Sequence, residues 1–344
     1  MKAKILFLAT RPGFFTASIV CVLLGLAAGW LRSGRSDWLA AIAVLAGSVL
    51  IHAGADMMND YDDHVSGADE ANHNYISPFS GGSRMIQMGI LTPGEVRRAA
   101  WALVAAGAVL FALLALRSGP LMLLLAAFAA ASALTYTGRP ISLASRGLGE
   151  LVVGINFGPV LVSAGYYVQA RAFPFPAILI TLPMMLLVMA ILWVNEMPDY
   201  EGDRAAGKRT LVVRLGLARA SDGYAVLVGL SYLSIAAGVL ARQLPLQALI
   251  ALATLPLGIL AALTVRRFYD QPAQMSPASV QTIVNHLLTG LLLVAALVSA
   301  GSSIPLLPLG IGSAIALVIG VRTYKAMDGM RKAFLAQRGL VGEA

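Results

Sequence analysis

Along most of this chain the apolar positions are not confined to one face of a helix or to alternate residues of a strand. They run on for about 20 residues at a time, the length that crosses a hydrocarbon core of about 30 Å. Bounded by charge, Gly or Pro, such runs fall at 14–31, 38–58, 96–116, 119–137, 148–168, 174–197, 220–241, 244–264, 282–302 and 303–321. The pattern predicts an all-α, multi-span transmembrane helical bundle. The first run begins behind Arg11-Pro12 and shows no small-x-small cleavage site before the second, so it reads as a span and not as a signal peptide. The last run is interrupted by Pro305 and Pro308 and separated from the ninth only by Gly301-Ser302-Ser303, which leaves a re-entrant segment as an alternative to a full crossing. Beyond it, the basic stretch 322–338 with Met327, Met330, Phe334 and Leu335 interspersed suits a helix on anionic headgroups or a frayed tail.

Composition agrees with the pattern. Of 344 residues 58% are hydrophobic and 12% charged, with a mean hydropathy of +0.78, against about 25% charged in soluble domains. A soluble enzyme and a nucleic-acid module are excluded. Cys21 is the single cysteine, so neither an intrachain disulfide nor a Cys-rich metal site is available. The net charge of +8 reflects orientation. Of the 25 Lys and Arg residues, Arg32, Arg35, Arg117, Arg171 and Arg242 fall on one side of the bundle and all others on the opposite side. The positive-inside rule then places both termini and the two long polar loops, 59–95 and 198–219, on the cytoplasmic side of a cell inner membrane.

The acids are concentrated. Asp56, Asp60, Asp62, Asp63, Asp69 and Glu70 follow the second run, and Glu196, Asp199, Glu201 and Asp203 follow the sixth. Asp56, Asn59, Asp60 and Asp63 share one helical face, and Asn195, Asp199 and Asp203, at i, i+4 and i+8, share roughly one face of another. Carboxylates stacked at membrane depth repel one another and are costly unless they serve a function. An all-oxygen set of Asp and Asn suits Mg²⁺ or Ca²⁺, and Mg²⁺ binds through one or two carboxylates plus substrate phosphates. Two such helices facing one another describe a diphosphate clamp, unless the acids merely end their helices in water. Arg84, Arg139, Arg146, Lys208 and Arg209 lie close enough in sequence to contact phosphate. A substrate with a charged head at the bundle's end and a tail in the bilayer is a polyisoprenyl diphosphate. Its ionisation gives an allylic cation that Tyr61, Tyr136, Tyr166, Tyr167 or Trp193 could stabilise, although Tyr and Trp also anchor spans at the interface. His52, His64, His73 and His286 have no common ligand spacing; His64 and His73 are candidate proton acceptors.

Asn59-Asp60-Tyr61-Asp62-Asp63-His64-Val65-Ser66-Gly67-Ala68-Asp69, followed by Asn195-Glu196-Met197-Pro198-Asp199-Tyr200-Glu201-Gly202-Asp203, resembles the paired aspartate motifs of the UbiA superfamily of intramembrane aromatic prenyltransferases. The six-residue step from Asp63 to Asp69 with Gly67 between resembles the branch acting on 1,4-dihydroxy-2-naphthoate in menaquinone synthesis. So do the segment Gly149 to Gln169 and the stretch Asp203-Arg204 through Gly207-Lys208-Arg209 to Gly216. Pro198, where relatives often carry Arg, and Arg139, where a proline is usual, depart from the pattern.

The resemblance implies nine core helices around a central cavity opening to the cytoplasmic side, here with a tenth C-terminal span. It divides the chain into a prenyltransferase unit over 1–302 and an appended span and basic tail over 303–344. It implies Mg²⁺ held by Asp60, Asp63, Asp69, Asp199 and Asp203, substrate contacts from Asn59, Arg84, Arg139, Arg146, Asn156, Asn195 and Lys208, and Tyr136 beside the cation. The reaction it implies is Mg²⁺-dependent transfer of a polyisoprenyl group from its diphosphate to the naphthoate, with decarboxylation. The partners are polyprenyl diphosphate, an aromatic quinone precursor and the lipid bilayer, with no nucleic acid. Alternatives are 4-hydroxybenzoate, homogentisate or a glycerol phosphate lipid as acceptor, or a cation-coupled transporter, since intramembrane acids also mark ion paths.

Overall fold

The structure is a computed structural model that describes residues 2–172 and 178–340. Within these residues the fold is all-α, without strands. A short helix α1 (Lys2–Ala9) precedes α2 (Phe15–Ser33) and α3 (Trp38–Ser66). One helical turn, α4 (Ala68–Ala71), opens the long loop to α5 (Pro93–Ser118), and α6 (Leu121–Thr135) follows. Helices α7 (Gly149–Ile155) and α8 (Leu161–Ala170) form one span, and α9 (Ile178–Glu196) leads to the short α10 (Tyr200–Ala205) and α11 (Leu211–Leu215). The last part comprises α12 (Leu217–Leu240), α13 (Leu255–Phe268) behind a 3₁₀ segment Leu246–Thr254, a single turn α14 (Pro272–Met275), α15 (Pro277–Ala300) and α16 (Leu306–Gln337). Nine of the helical stretches are long and apolar enough to cross a membrane, and α6 is a shorter apolar helix. Together they match the ten runs of the sequence. The start of the sixth run, 174–177, lies outside the described residues.

Three boundaries differ from expectation, each for a local reason. Helix α3 continues past 58 to Ser66, so the first acidic motif lies on the spanning helix itself, until Gly67 at φ 80 caps it. Helix α9 stops at Glu196, because Pro198 disfavours helix at the residue before it; a turn with Asp199 N donating to Glu196 O (3.1 Å) intervenes before α10. The expected single-face stack is therefore broken up, with Asn195 on α9, Asp199 in the turn and Asp203 on α10. Helix α16 is one continuous rod of 32 residues, about 48 Å long and so longer than a bilayer core. Its last turns bury Met327 and Leu335 against Ile76, Phe79 and Ile283, and Arg331 donates to Ser276 Oγ at 3.1 Å. The basic tail is thus a helix packed on protein, neither frayed nor laid wholly on headgroups.

Small residues let the helices approach. Gly25 and Gly29 of α2 face Val162 and Tyr166 of α8, where a Cβ on Gly25 would come within 2.1 Å of the Val162 carbonyl oxygen. Gly54 and Gly107 do the same between α3 and α5. At the end opposite the acids, Asp37 caps α3 by accepting from Ala40 N (3.0 Å). It also pairs with Arg117 (2.9 Å) and Arg171 (3.1 Å), joining three loops. Within α7–α8, Pro159 sits in a π-turn over Asn156–Val160. Without an N–H, and clashing with a preceding carbonyl, it widens the helix and re-aims Asn156 and Phe157 inward.

Opposite effects are expected from two helix glycines. Gly25→Ala should lower unfolding stability of the solubilised protein by about 1–3 kcal/mol through overpacking. Gly229→Ala, whose Cβ meets nothing within 4 Å, should leave it unchanged or raise it by up to about 1 kcal/mol. Thermal unfolding in detergent measures both, and equal shifts would contradict the close α2–α8 approach.

Candidate active site

The main cavity lies among α2, α3, α6, α7–α8 and α9. Its mouth is acidic, lined by Asn59, Asp63, Asp69, Asn195, Glu196, Asp199, Asp203 and Lys208; its depth is apolar, with Phe111, Leu125, Leu161, Val188 and Ile191 on the walls. A charged head at the mouth and an extended apolar chain within fit this division. Tyr136 and Asn156 also line it. Asn59 donates to Asp63 Oδ2 at 2.9 Å, so the Asn and Asp of the first motif are mutually oriented across one helical turn.

The loop after the first motif supplies what the sequence did not show. Gly81 and Gly82 both adopt φ +70, and a Cβ on Gly82 would lie 2.7 Å from Asp60 Oδ1. This left-handed pair turns the Gly81 N–H onto Asp199 Oδ2 (3.0 Å) and the Ser83 N–H onto Asp60 Oδ2 (3.0 Å). Asn72 Nδ2 adds a 2.5 Å bond to Asp199 Oδ1. One loop thus holds a carboxylate from each motif. Asp60 sits beneath this loop, 4% exposed and behind the cavity wall, while Asp63, Asp69, Asp199 and Asp203 stand on it.

Lys208 completes the mouth. Gly207, at φ +74, reverses the chain after α10 so that Lys208 Nζ reaches Asp63 Oδ2 (2.9 Å) and Asp203 Oδ1 (3.5 Å). Burial alone would push the Lys208 ammonium down, but Asp203 and Asp63 outweigh it and hold its pKa well above the ordinary lysine value. Burial pushes Asp69 up to about 8, reinforced by Asp63, and pushes Asp203 up to about 7 against the pull of Lys208. Burial raises Asp199 as well, against the bonds from Gly81 and Asn72. Carboxylates held this far above their usual range lack positive charge.

The other basic residues are placed differently. Arg84 donates to the Asp69 and Asn72 carbonyls and stacks on Tyr75 at 3.8 Å, bracing the loop without lining the cavity. Arg139 and Arg146 line a neighbouring pocket that shares Asp63 and Lys208 with the main one, and Arg146 Nε is spent on the Ile141 carbonyl at 2.6 Å. Asp62 faces that side too, accepting from Thr137 at 2.9 Å. His64 pairs with Glu70 at 2.6 Å, and the His73 carbonyl accepts from Arg338 at 2.8 Å.

Asp56, expected on the acidic face of α3, lines the cavity, and with it stand Arg11, Ser18 and His52, to which the sequence analysis assigned no role there. The available signal was register: His52 and Asp56 continue the Asn59–Asp63 face of α3 by two further turns.

A divalent ion is tested by the donors present. Among the described residues no three His, Cys, Asp or Glu side chains converge on one point. Mg²⁺ needs only one or two carboxylates when phosphates fill its other positions. Asp63, Asp69, Asp199 and Asp203 offer hard oxygens, and Asn195 Oδ1 is buried without a hydrogen-bond partner. The donor set fits.

Residues 18–280 match the model of the UbiA prenyltransferase family. The chain is 33% identical over 260 residues to a 1,4-dihydroxy-2-naphthoate octaprenyltransferase of Mycobacterium tuberculosis, covering 74% of this chain and 84% of that one. It is 31% identical over 290 residues to the Escherichia coli protein of the same description (83% and 92%). It is 27% identical over 292 residues to a 2-carboxy-1,4-naphthoquinone phytyltransferase of Synechocystis (85% and 92%). Among solved structures, a UbiA homolog from Archaeoglobus fulgidus bound to DMAPP and Mg²⁺ superposes with a TM-score of 0.60 at 14% identity, covering 83% of this chain and 97% of that one. A UbiA homolog from Aeropyrum pernix K1 gives 0.59 at 21% identity, covering 87% and 98%. With its two acidic motifs brought to the mouth of one intramembrane cavity, the chain belongs to the UbiA prenyltransferase family and is a polyprenyl transferase.

Proposed function

We propose that the chain transfers a polyisoprenyl group from its diphosphate to 1,4-dihydroxy-2-naphthoate, with loss of the carboxylate as CO₂, in menaquinone synthesis. The observation that carries this is the cavity's division into a carboxylate mouth and an apolar depth. The naphthoate acceptor rests on the relatives described as 1,4-dihydroxy-2-naphthoate octaprenyltransferases, at about a third identity over most of their length.

Asp63, Asp69, Asp199 and Asp203 would hold Mg²⁺, with Asp60 supporting them from beneath the loop. When bound, Mg²⁺ neutralises the diphosphate and improves it as a leaving group; DMAPP and Mg²⁺ occur together in the Archaeoglobus fulgidus homolog. Lys208 orients the carboxylates and takes up charge on the departing phosphate oxygens. Asn59 and Asn195 contribute neutral oxygens. Tyr136 presents its ring to the allylic carbon. The ring carbon of the acceptor attacks, the C–O bond to diphosphate breaks, and loss of CO₂ restores aromaticity. The polyprenyl chain lies along the apolar walls, away from water that would quench the cation.

The basic residues outside the cavity have second roles: Arg84 steadies the loop, and Arg139 and Arg146 guide anions to the side pocket. The acidic end faces the cytoplasm, supported by the gathering of Lys and Arg there and by Arg117 and Arg171 clustering at the opposite end. Residues 1–302 form the transferase unit and 303–344 an appended helix and tail, supported by the end of the family match at residue 280; residues 341–344 lie outside the described residues.

Purified protein given polyprenyl diphosphate, Mg²⁺ and 1,4-dihydroxy-2-naphthoate should release diphosphate only when acceptor is present. Asp60→Ala and Asp199→Ala should each lower kcat/KM at least a hundredfold, about 2.7 kcal/mol of transition-state stabilisation. Product formed from 4-hydroxybenzoate or homogentisate in preference to the naphthoate would overturn the acceptor assignment. Gradient-driven solute uptake into proteoliposomes without any transfer would return the transporter reading.

Because Asp69 and Asp203 bind protons up to about pH 8 and 7, Mg²⁺ must displace them. The Mg²⁺ concentration for half-maximal rate should therefore fall as pH rises from 6 to 8. Isothermal titration in two buffers of different ionisation heat should show proton release on binding, and its absence would contradict the raised values.

A further inference from the structure

The loop that joins the two acidic motifs has two sides. Asn72, Phe79, Ser80, Gly81 and Gly82 line the cavity, while Tyr75, Ile76 and Phe79 meet the last turns of α16, well beyond the residues matched to the family. From residue 72 to 92 the loop contains no helix, so no ladder of backbone bonds holds it and its shape depends on side-chain contacts. Those contacts run in series. Phe334 packs on Tyr75 with ring centroids 5.5 Å apart at 50°. Arg338 Nη1 donates to the His73 carbonyl at 2.8 Å, and its guanidinium lies 4.5 Å from the centre of the Tyr75 ring and 5.2 Å from that of Phe334. Tyr75 in turn backs directly on Gly81, where a Cβ would come within 2.5 Å of the Tyr75 Cβ. The Gly81 N–H donates to Asp199 Oδ2, and the Ser83 N–H donates to Asp60. A displacement of Tyr75 therefore moves the amides that hold one carboxylate from each motif.

The end of α16 is itself fixed. Gly339, at φ 72, stops the helix; its N–H returns to the Ala336 carbonyl at 3.1 Å and the Leu340 N–H to the Leu335 carbonyl at 2.9 Å, a Schellman cap that sets the position of Arg338. Arg331 is 5% exposed and donates from Nη1 to Ser276 Oγ at 3.1 Å and from Nε to Asp328 at 2.9 Å, which ties α16 to the start of α15. The helix is thus anchored on the bundle independently of the loop, and the loop leans on it.

We propose that Phe334 and Arg338 are positioning residues for the mouth of the cavity: α16 holds the loop in the geometry in which the carboxylates of both motifs receive a divalent ion with a prenyl diphosphate. The inference rests on the reading that these carboxylates take Mg²⁺ together with that diphosphate. Neither residue lines the cavity; both act through Tyr75 and Gly81. The contact needs a planar cation, which lies over the rings while one N–H reaches the His73 carbonyl. Lysine at 338 keeps the charge and loses that arrangement. Because the loop touches the acids and not the apolar walls, its displacement weakens the hold on metal and diphosphate first, while the bundle, closed by its own helix contacts, stays folded.

The test is Mg²⁺-dependent binding of farnesyl diphosphate to the full-length protein in lipid nanodiscs, with hydrogen exchange over residues 73–84 and thermal unfolding measured on the same samples. Arg338→Gln should raise the Mg²⁺ concentration for half-maximal binding about threefold, the size expected for losing one cation–π contact, and Arg338→Lys should not restore it. Phe334→Leu should raise it similarly, and Phe334→Tyr, which keeps the ring, should return it to the wild-type value. Exchange over 73–84 should quicken in Arg338→Gln and Phe334→Leu while the unfolding temperature stays put, a combination that a general loss of packing does not give. Lys325→Gln, which removes a charge from the exposed side of the same helix, should change none of these. The proposal is overturned if Mg²⁺ dependence in Arg338→Gln and Phe334→Leu equals that of wild type, if exchange in the loop is unaltered, or if Lys325→Gln shifts binding as much. Wild type that binds no farnesyl diphosphate at any Mg²⁺ concentration overturns the reading of the mouth and this role with it. Binding that is lost in Asp199→Ala yet indifferent to positions 334 and 338 leaves that reading standing and sinks the positioning role alone.

Discussion

Everything at the working end of this bundle depends on neutralising carboxylates that cannot reach bulk water. Asp60, Asp69 and Asp203 are all nearly inaccessible, and like charges so placed repel strongly where the dielectric is low. The protein answers with three kinds of positive end. The Gly81 and Ser83 backbone N–H groups hold Asp199 and Asp60, Asn72 adds an amide, and Lys208 lies between Asp63 and Asp203. These donors suffice to keep the motifs in place, yet Asp69 and Asp203 still bind protons too readily. The residual deficit of positive charge is what a divalent ion makes good.

That balance requires the helices to hold their positions against the repulsion. Close packing at Gly25, Gly29, Gly54 and Gly107 does this in the membrane, where there is no hydrophobic drive between helices and contact geometry must supply the association. At the far end, Asp37 with Arg117 and Arg171 ties three loops together. At the near end the last turns of α16 settle on the loop itself. Arg338 stacks on Tyr75 (4.5 Å), whose ring also carries Arg84 (3.8 Å). The end of α16 thus braces the loop that joins the two motifs.

The cavity is graded and not uniform. Carboxylates and Lys208 stand at its mouth, unpaired polar atoms of Arg11 before α2, of α3 and of α7–α8 lie within, and an apolar passage follows. The π-turn at Pro159 is part of this grading, because it directs Asn156 and Phe157 into the same space as His52. A charged head and a long apolar chain match the mouth and the passage, which is why the reading as a prenyl transfer draws on the whole cavity and not on the acids alone.

The sequence by itself determined the all-α class, the ten apolar runs and the concentration of acids into two segments, because each follows from local physics: span length, hydropathy and charge spacing are properties of contiguous residues. It also determined Asn59 and Asp63 as neighbours, since i and i+4 meet on any helix. What it did not determine was which polar groups share a space across helices. Arg84, near the motif in sequence, turned onto Tyr75 because positive φ at residues 81, 82 and 84 reversed the loop. Asp60 went beneath that loop while Asp63, three residues on, faced the cavity. The second motif reached the wall as two helices joined by a turn at Pro198, a break that side-chain periodicity conceals. Arg11, Ser18, His52 and Asp56 became one group only when α2 closed on α3. Register alone puts His52 and Asp56 on one face of α3, but no spacing ties Ser18 to them, and that contact exists only in the packed bundle.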